Sequence, residues 1–211
     1  MFDLHCHSVF SDGELIPAEI IQRVRVLNYE AIAITDHADH SNFEFIINNL
    51  LKIKKAYQGS LPKLIVGVEI THVNPDLIPE VIKEARKAGA ELVVVHGETI
   101  AEPVAEGTNL SAILGGADIL AHPGLIKEEE VKLAGEKGVF LEISARKGHC
   151  LTNGHVVKLA KKYNVSLVIN SDAHSPSDLM SKEHALKVGI GAGLTEEEVF
   201  KLWEVARKRF L

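Results

Sequence analysis

The chain contains only two cysteines, Cys6 and Cys150, so a disulfide scaffold is excluded and a reducing, cytoplasmic compartment is expected. No uncharged apolar run approaches the ~18–20 residues that span a bilayer, which excludes an integral helical membrane protein. The opening residues, MFDLHCHSVFSDGE, carry neither a basic segment nor an apolar stretch and do not read as a secretory leader. Positive charge is short: 23 Lys and Arg stand against 29 Asp and Glu, a net charge of −6. Gripping a phosphate backbone as the main activity needs a basic surface, so nucleic acid is not the expected partner. Linkers and low-complexity segments are also missing. With 46% apolar residues the chain is expected to fold as one domain, residues 1–211.

What the chain has in quantity is histidine, eleven in all, together with a structural rhythm. Short β-branched runs alternate with amphipathic stretches. The runs predict strands at Phe2–His5, Ala31–Thr35, Leu64–Ile70, Leu92–His96, Ile119–His122, Phe140–Ser144 and Leu167–Asn170. Helices are predicted where apolar residues recur at helical spacing, as at Ile20, Val24 and Leu27, and at Leu77–Ala88, Glu128–Lys137 and Asn153–Tyr163. Thr195 and Glu198 form a capping box ahead of Val199, Leu202, Trp203 and Ala206. Continuous apolar strands, each followed by a helix, imply a parallel sheet, either open and doubly wound or closed as a barrel.

The polar residues favour the barrel. Each strand ends in a group able to bind a cation or an anion: His5 and His7 with Asp12 beyond, His37, Glu69, His96, His122, Arg146 with Lys147, and Asp172 with His174. An open sheet places ligands at one switch point, using two or three strand ends. A closed barrel brings every strand end round one mouth. In His5-Cys6-His7 both imidazoles project to the same side of an extended chain while Cys6, a small hydrophobe, points away. Asp36, beside His37, either orients an imidazole or starts a helix. So many ionisable groups gathered at the lip of a core require counter-ions, and divalent cations supply them.

The blocks HCHS-x3-DG, ITDH, GVE, VVVHG, AHPG and NSDAH, in this order from Asp3 to His174, resemble the motif series of the polymerase and histidinol phosphatase (PHP) superfamily. That resemblance implies a distorted seven-stranded (β/α) TIM-like barrel and three divalent metal ions, Zn, Mn or Fe. It implies a first metal on His5, His7, Glu69 and Asp172, and a second on Glu69, His96 and His122, with Glu69 as the bridge. A third would lie on Asp12, His37 and His174. Two cations sharing a carboxylate clamp a phosphate and activate a water between them, so phosphate ester hydrolysis is the expected reaction. Glu69 and Asp12 are then catalytic through the metals.

Arg146 is expected to grip the phosphate, and Lys147 is a further candidate contact. His40 and His149, on loops after the second and sixth strands, are candidate substrate contacts, as is His72. His155 and His184 read as surface helix residues. The polar stretch HGETIAEPVAEGTN is long enough to form a substrate wall. The leading reading is a phosphomonoesterase acting on a small phosphorylated metabolite, histidinol phosphate being the best-known substrate of the family it resembles. The alternative is a phosphodiesterase or 3′–5′ exonuclease, and a third reading is a non-catalytic metal-binding module, which the full ligand set opposes.

Overall fold

A computed structural model of the chain, describing residues 1–211, shows eight strands and eight helices in alternation. They run β1 (Phe2–Asp3), α1 (Pro17–Val26), β2 (Ala31–Ile34), β3 (His37–Ala38), α2 (Phe43–Ala56), β4 (Lys63–Ile70), α3 (Ile78–Ala88) and β5 (Leu92–His96). Then follow α4 (Thr108–Gly115), β6 (Ile119–Ala121), α5 (Glu128–Lys137), β7 (Phe140–Ser144), α6 (Asn153–Tyr163), β8 (Leu167–Asn170), α7 (Lys182–Gly191) and α8 (Glu196–Phe210). All pairings are parallel, in the order β1-β2-β4-β5-β6-β7-β8.

The short β3 is a continuation of β2. Both pair with β4 at one offset, Ile34 opposite Val66 and His37 opposite Glu69, so the barrel has seven staves. The break falls at Thr35-Asp36, where the Thr35 amide donates to the Cys6 carbonyl at 2.8 Å, at the same offset as the pairing of β1 with β2. The ring closes between the first and last staves. Cys6 pairs with Ala173, the His7 amide donates to the Ala173 carbonyl at 2.9 Å, and the Asp172 amide donates to the His5 carbonyl at 3.0 Å. Lower down, side chains take over this seam: the Leu4 amide donates to Asn170 Oδ1 and the Ser171 amide to the Asp3 carboxylate. The first strand therefore stops at Asp3, short of the expected His5, because its partners beyond there are not a regular ladder. The outcome is the distorted seven-stave barrel, not the open sheet.

The staves are apolar throughout because both faces are covered, one by the barrel interior and one by helices. A single cluster of 61 buried apolar residues joins the two layers. Helix α8 forms where the capping box predicts: Thr195 Oγ1 accepts from the Glu198 amide at 3.2 Å, and Val199, Leu202, Trp203 and Ala206 are its buried face. Helix α4 has no counterpart in the sequence expectation. Left-handed Gly107 and Gly116 bound it, and it begins at Thr108, inside the stretch read as a polar wall.

One glycine matters for the mouth. Gly124, in the AHPG block, has a φ of +63°, and a Cβ there would run into the Glu98 carbonyl. Its absence lets the loop after β6 lie against the loop after β5.

Candidate metal centre

The C-terminal ends of the staves converge on a small cavity of about 30 Å³, walled by polar residues only. His5 and His7 lie buried side by side next to two of its wall residues, His122 and Asp172, their ring centroids 5.0 Å apart, while Cys6 is buried in the closing seam. His5 Nε2 lies 3.4 Å from Glu69 Oε1 and 3.8 Å from Asp172 Oδ1. His7 Nε2 lies 3.3 Å from Asp172 Oδ1 and 3.6 Å from Glu69 Oε2. His122 Nε2 reaches the same two carboxylates, at 3.4 Å and 3.7 Å. Asp12, His37 and His174 gather on the outer side with His7, their ligand atoms within 4.8 Å of one another. There His174 Nε2 stands 3.2 Å from Asp12 Oδ1.

One grouping differs from the resemblance-based expectation. The carboxylate within reach of His96 is Glu102, at 3.2 Å from Nε2, whereas Glu69 sits among His5, His7, His37 and His122. His96 and His122 form a triad with His149, whose ring stacks on His122 at 4.0 Å. His149 is thus part of the cluster wall, buried and held by Thr99 Oγ1 at 2.8 Å from its Nδ1. His72 is exposed but adjoins the cluster: its Nε2 is 3.7 Å from Glu102, and with His96 and Glu102 it forms a group whose ligand atoms lie within 4.8 Å of one another. His40 is exposed and belongs neither to the cavity wall nor to any of the candidate metal-binding groups. Lys147 is also absent from the cavity wall, whereas Arg146 is part of it.

Arg146 Nη1 donates to His174 Nδ1 at 2.7 Å and to the Asp172 carbonyl at 3.3 Å. Asp36 plays neither role expected of it. Its buried carboxylate accepts from the amides and hydroxyls of Ser8 and Ser11, at 2.7 to 3.1 Å, and so fixes the turn between His7 and Asp12. His155 is half-buried, donating Nε2–H to the Ile126 carbonyl at 2.8 Å, and so departs from the surface position expected.

The residues that the motif pattern missed are Glu142, Glu102, Thr99 and Thr71. Glu142 projects from β7 into the barrel, fully buried, with Oε1 2.8 Å from His5 Nδ1 and Oε2 accepting the His122 amide at 3.1 Å. An acidic residue in the middle of the apolar run FLEIS was the signal available.

Several rings share one arrangement. His5 Nδ1 is held by Glu142, His37 Nδ1 by Thr71 Oγ1 and Glu69 Oε2, each at 2.7 Å, and His96 Nδ1 by the Gly97 carbonyl. That leaves each Nε2 pointing into the mouth, the tautomer a metal-binding imidazole needs. Buried polar atoms are almost always paired. Here seven side-chain atoms are buried without a hydrogen-bond partner, and six of them belong to His5, His7, Glu69, His122 and Asp172. Buried unpaired atoms that mix imidazole nitrogen and carboxylate oxygen within one cluster fit divalent cations.

The electrostatics agree. Burial opposes a charged His5, yet Glu142, Glu69 and Asp172 raise it well above its ordinary value. Burial and the neighbouring His37 push His7 well below. Burial lifts Asp172 to about 6, only partly offset by His5 and His122. Burial likewise works against a charged Glu69, but His5 and His37 hold it well below the usual carboxylate range. The backbone is strained at the same place. His122 and Asp172 have φ of 26° and 53°, a left-handed region that non-glycine residues occupy at a cost of about 1–3 kcal/mol.

The family model described as PHP domain matches residues 3–171. An uncharacterized protein of Methanocaldococcus jannaschii is 50% identical, over 94% of this chain and 92% of its own length. Ribonuclease P protein component 3 of Methanosarcina barkeri strain Fusaro is 28% identical, over 100% of this chain and 88% of its own length. A protein of Thermoanaerobacter sp. strain X514 named "Probable phosphatase" is also 28% identical, over 94% and 89%. Among solved structures, a chain of archaeal ribonuclease P with mature tRNA superposes with a TM-score of 0.72 at 20% identity, covering 99% of this chain and 89% of that one, a likeness of fold.

Proposed function

This chain belongs to the PHP domain family, and from that premise we propose that it hydrolyses phosphate esters with divalent cations, acting on monoesters of small metabolites. The observation that carries the reading is the set of unpaired buried nitrogen and oxygen atoms of His5, His7, Glu69, His122 and Asp172, brought together from four staves. His5, His7, Glu69, His122 and Asp172 would hold cations inside, His96 with Glu102 or His149 on one flank, and Asp12, His37 and His174 outside. Bound there, the cations supply Lewis-acid charge to the phosphate and an acidified water.

The chain's own residues do the rest. Glu142, Thr71 and the Gly97 carbonyl keep three imidazoles in the binding tautomer. Asp36 holds the Ser8–Ser11 turn that presents Asp12. Arg146 has two uses. Donating to His174 Nδ1, it directs that ring's proton to Nε2. When His174 uses Nε2 as a ligand, its proton must sit on Nδ1, toward the Asp172 carbonyl at 3.0 Å. Arg146 is then released, and its planar fork suits the non-bridging oxygens of a phosphate.

A second reading comes from the relatives named ribonuclease P protein component 3, which suggest an RNA-associated subunit. The net charge of −6 opposes it, and a scaffold has no use for the unpaired ligand atoms. The test is an assay with Mn²⁺ or Zn²⁺ that offers a phosphomonoester, a phosphodiester and a structured RNA side by side. The reading expects metal-dependent phosphate release from the monoester, faster than diester or RNA cleavage. Tight RNA binding with no esterase activity at any metal concentration would overturn it.

A further inference from the structure

A second cavity, of about 470 Å³, lies beside the mouth. Arg146 lines both, and Ser171, which precedes Asp172, lines the second. Lys147, Ser177, Asp178 and His184 form most of the remaining wall. The mouth itself, at about 30 Å³, has room on the scale of an ion or a water, whereas its neighbour can take a small organic group.

The charges of this wall are not balanced internally. Asp178 is engaged: its Oδ2 accepts from the amides of His174 and Ser175, at 3.0 and 2.8 Å, and its charge faces Arg146. Lys147 is exposed and forms no ion pair or hydrogen bond, and the His184 side chain forms none either. Six lysines of the chain pair with a carboxylate, Lys161 and Lys162 with Glu198 and Glu128 among them, and Lys147 is one of the others, free to meet a ligand. Lys147 instead stands next in sequence to the arginine that reaches the mouth, with a donor-bearing imidazole sharing its cavity.

We infer that this cavity receives the leaving group of the substrate, and that the leaving group carries an anionic oxygen group of its own, held by Lys147 and His184. The inference rests on the phosphatase reading and narrows it. Arg146 then lies between the two negative groups, the phosphate under attack and the anion on the departing alcohol. A cationic leaving group such as an amino alcohol would meet Lys147 and be disfavoured. This moves Lys147 from a phosphate contact to a determinant of which ester is chosen.

The experiment compares three monoesters of similar size in the metal-supplemented full chain: phosphoglycolate, 2-hydroxyethyl phosphate and phosphoethanolamine. Their leaving groups are anionic, neutral and cationic. Ethylene glycol bisphosphate, run in parallel, distinguishes a carboxylate from a second phosphate as the preferred anion. The expected order of kcat/KM is anionic, neutral, cationic, with about tenfold between the first two, the scale of one charge-assisted hydrogen bond. Lys147→Gln, and further Lys147→Gln with His184→Gln, should bring the anionic-to-neutral ratio toward one. Lys158→Gln, an equal loss of charge at an exposed lysine of α6, should leave the ratio as it was. A second readout is the His184 ring signal in NMR, which phosphoglycolate should move and 2-hydroxyethyl phosphate should not. Turnover of all three esters at equal rates, or a ratio unmoved by Lys147→Gln, overturns the inference while the phosphatase reading stands. No turnover of any monoester overturns both.

Discussion

His5 Nδ1 stands 2.8 Å from Glu142 Oε1, and the opposite nitrogen of the same ring faces Glu69 and Asp172. Glu142 thereby decides which nitrogen of His5 is free to act as a ligand, although it offers no atom to the mouth itself. Partners of this kind typically alter metal affinity by 10–100-fold when replaced. Glu142→Gln should weaken binding of the first equivalent of Mn²⁺ or Zn²⁺ by at least about tenfold while far-UV circular dichroism stays native. Calorimetric titration of the chelated variant checks this, and an unchanged affinity would show that the contact is incidental.

Glu69 lies within 4 Å of four imidazoles, those of His5, His7, His37 and His122, whereas His174 belongs to the outer group. Glu69→Gln removes the charge that those rings share, so it should lower kcat further than His174→Ala does. The comparison is made at matched metal occupancy. Equal losses would contradict the central place given to Glu69.

Arg146 competes with metal binding for the His174 ring and then serves the phosphate. Arg146→Ala should therefore leave metal content intact or slightly raised. It should lower monoester kcat/KM by roughly tenfold or more, the scale of a lost charge-assisted hydrogen bond of ~1.5–3 kcal/mol. A monoester near neutral pH carries close to two charges and a diester one, so the monoester-to-diester preference should fall as well. Arg146→Lys should recover only part of the loss, since an ammonium lacks the planar fork. Equal effects on both substrates would place Arg146 outside phosphate recognition.

Burial raises the Asp3 carboxyl to about 6, above an ordinary value of 3.8. The folded chain then binds this proton more tightly than the unfolded chain does. Its contribution to stability is full below about pH 4 and is lost as pH rises through about 6. The loss amounts to at most about 3 kcal/mol. Asp3→Asn cannot titrate, so in chelator the variant's Tm should gain on the wild type between about pH 4 and 6.5. A shift of several degrees is expected, at about 2–4 °C per kcal/mol for a chain of this size. A difference in Tm independent of pH would show that Asp3 does not carry this titration.

The sequence makes plain what strand periodicity and strand ends encode. Apolar runs located β5, β7 and β8 to the residue, and polar residues just beyond the staves named the groups that converge on the mouth. What stayed hidden depends on three-dimensional neighbours. Glu142 looks like an interruption of a buried strand until its distance to His5 is known. Glu102 sits in a stretch that reads only as a polar loop, yet it is the carboxylate that reaches His96. Lys147 and Arg146 are adjacent in sequence, and only the fold shows that Arg146 lines both the mouth and the cavity beside it while Lys147 lines the second alone. His155 reads as a surface residue because its partner, the Ile126 carbonyl, lies on a different unit of the barrel.

The most direct measurement is phosphate release from a monoester by chelated protein resupplied with Mn²⁺ or Zn²⁺ in steps, with bound metal counted in the same samples. Protein stripped of metal should be inactive and should retain its fold. Activity should rise with occupancy and level off at about two to three ions per chain, as expected where a carboxylate is shared between cations. Full turnover in protein holding less than about one ion per chain would contradict the account.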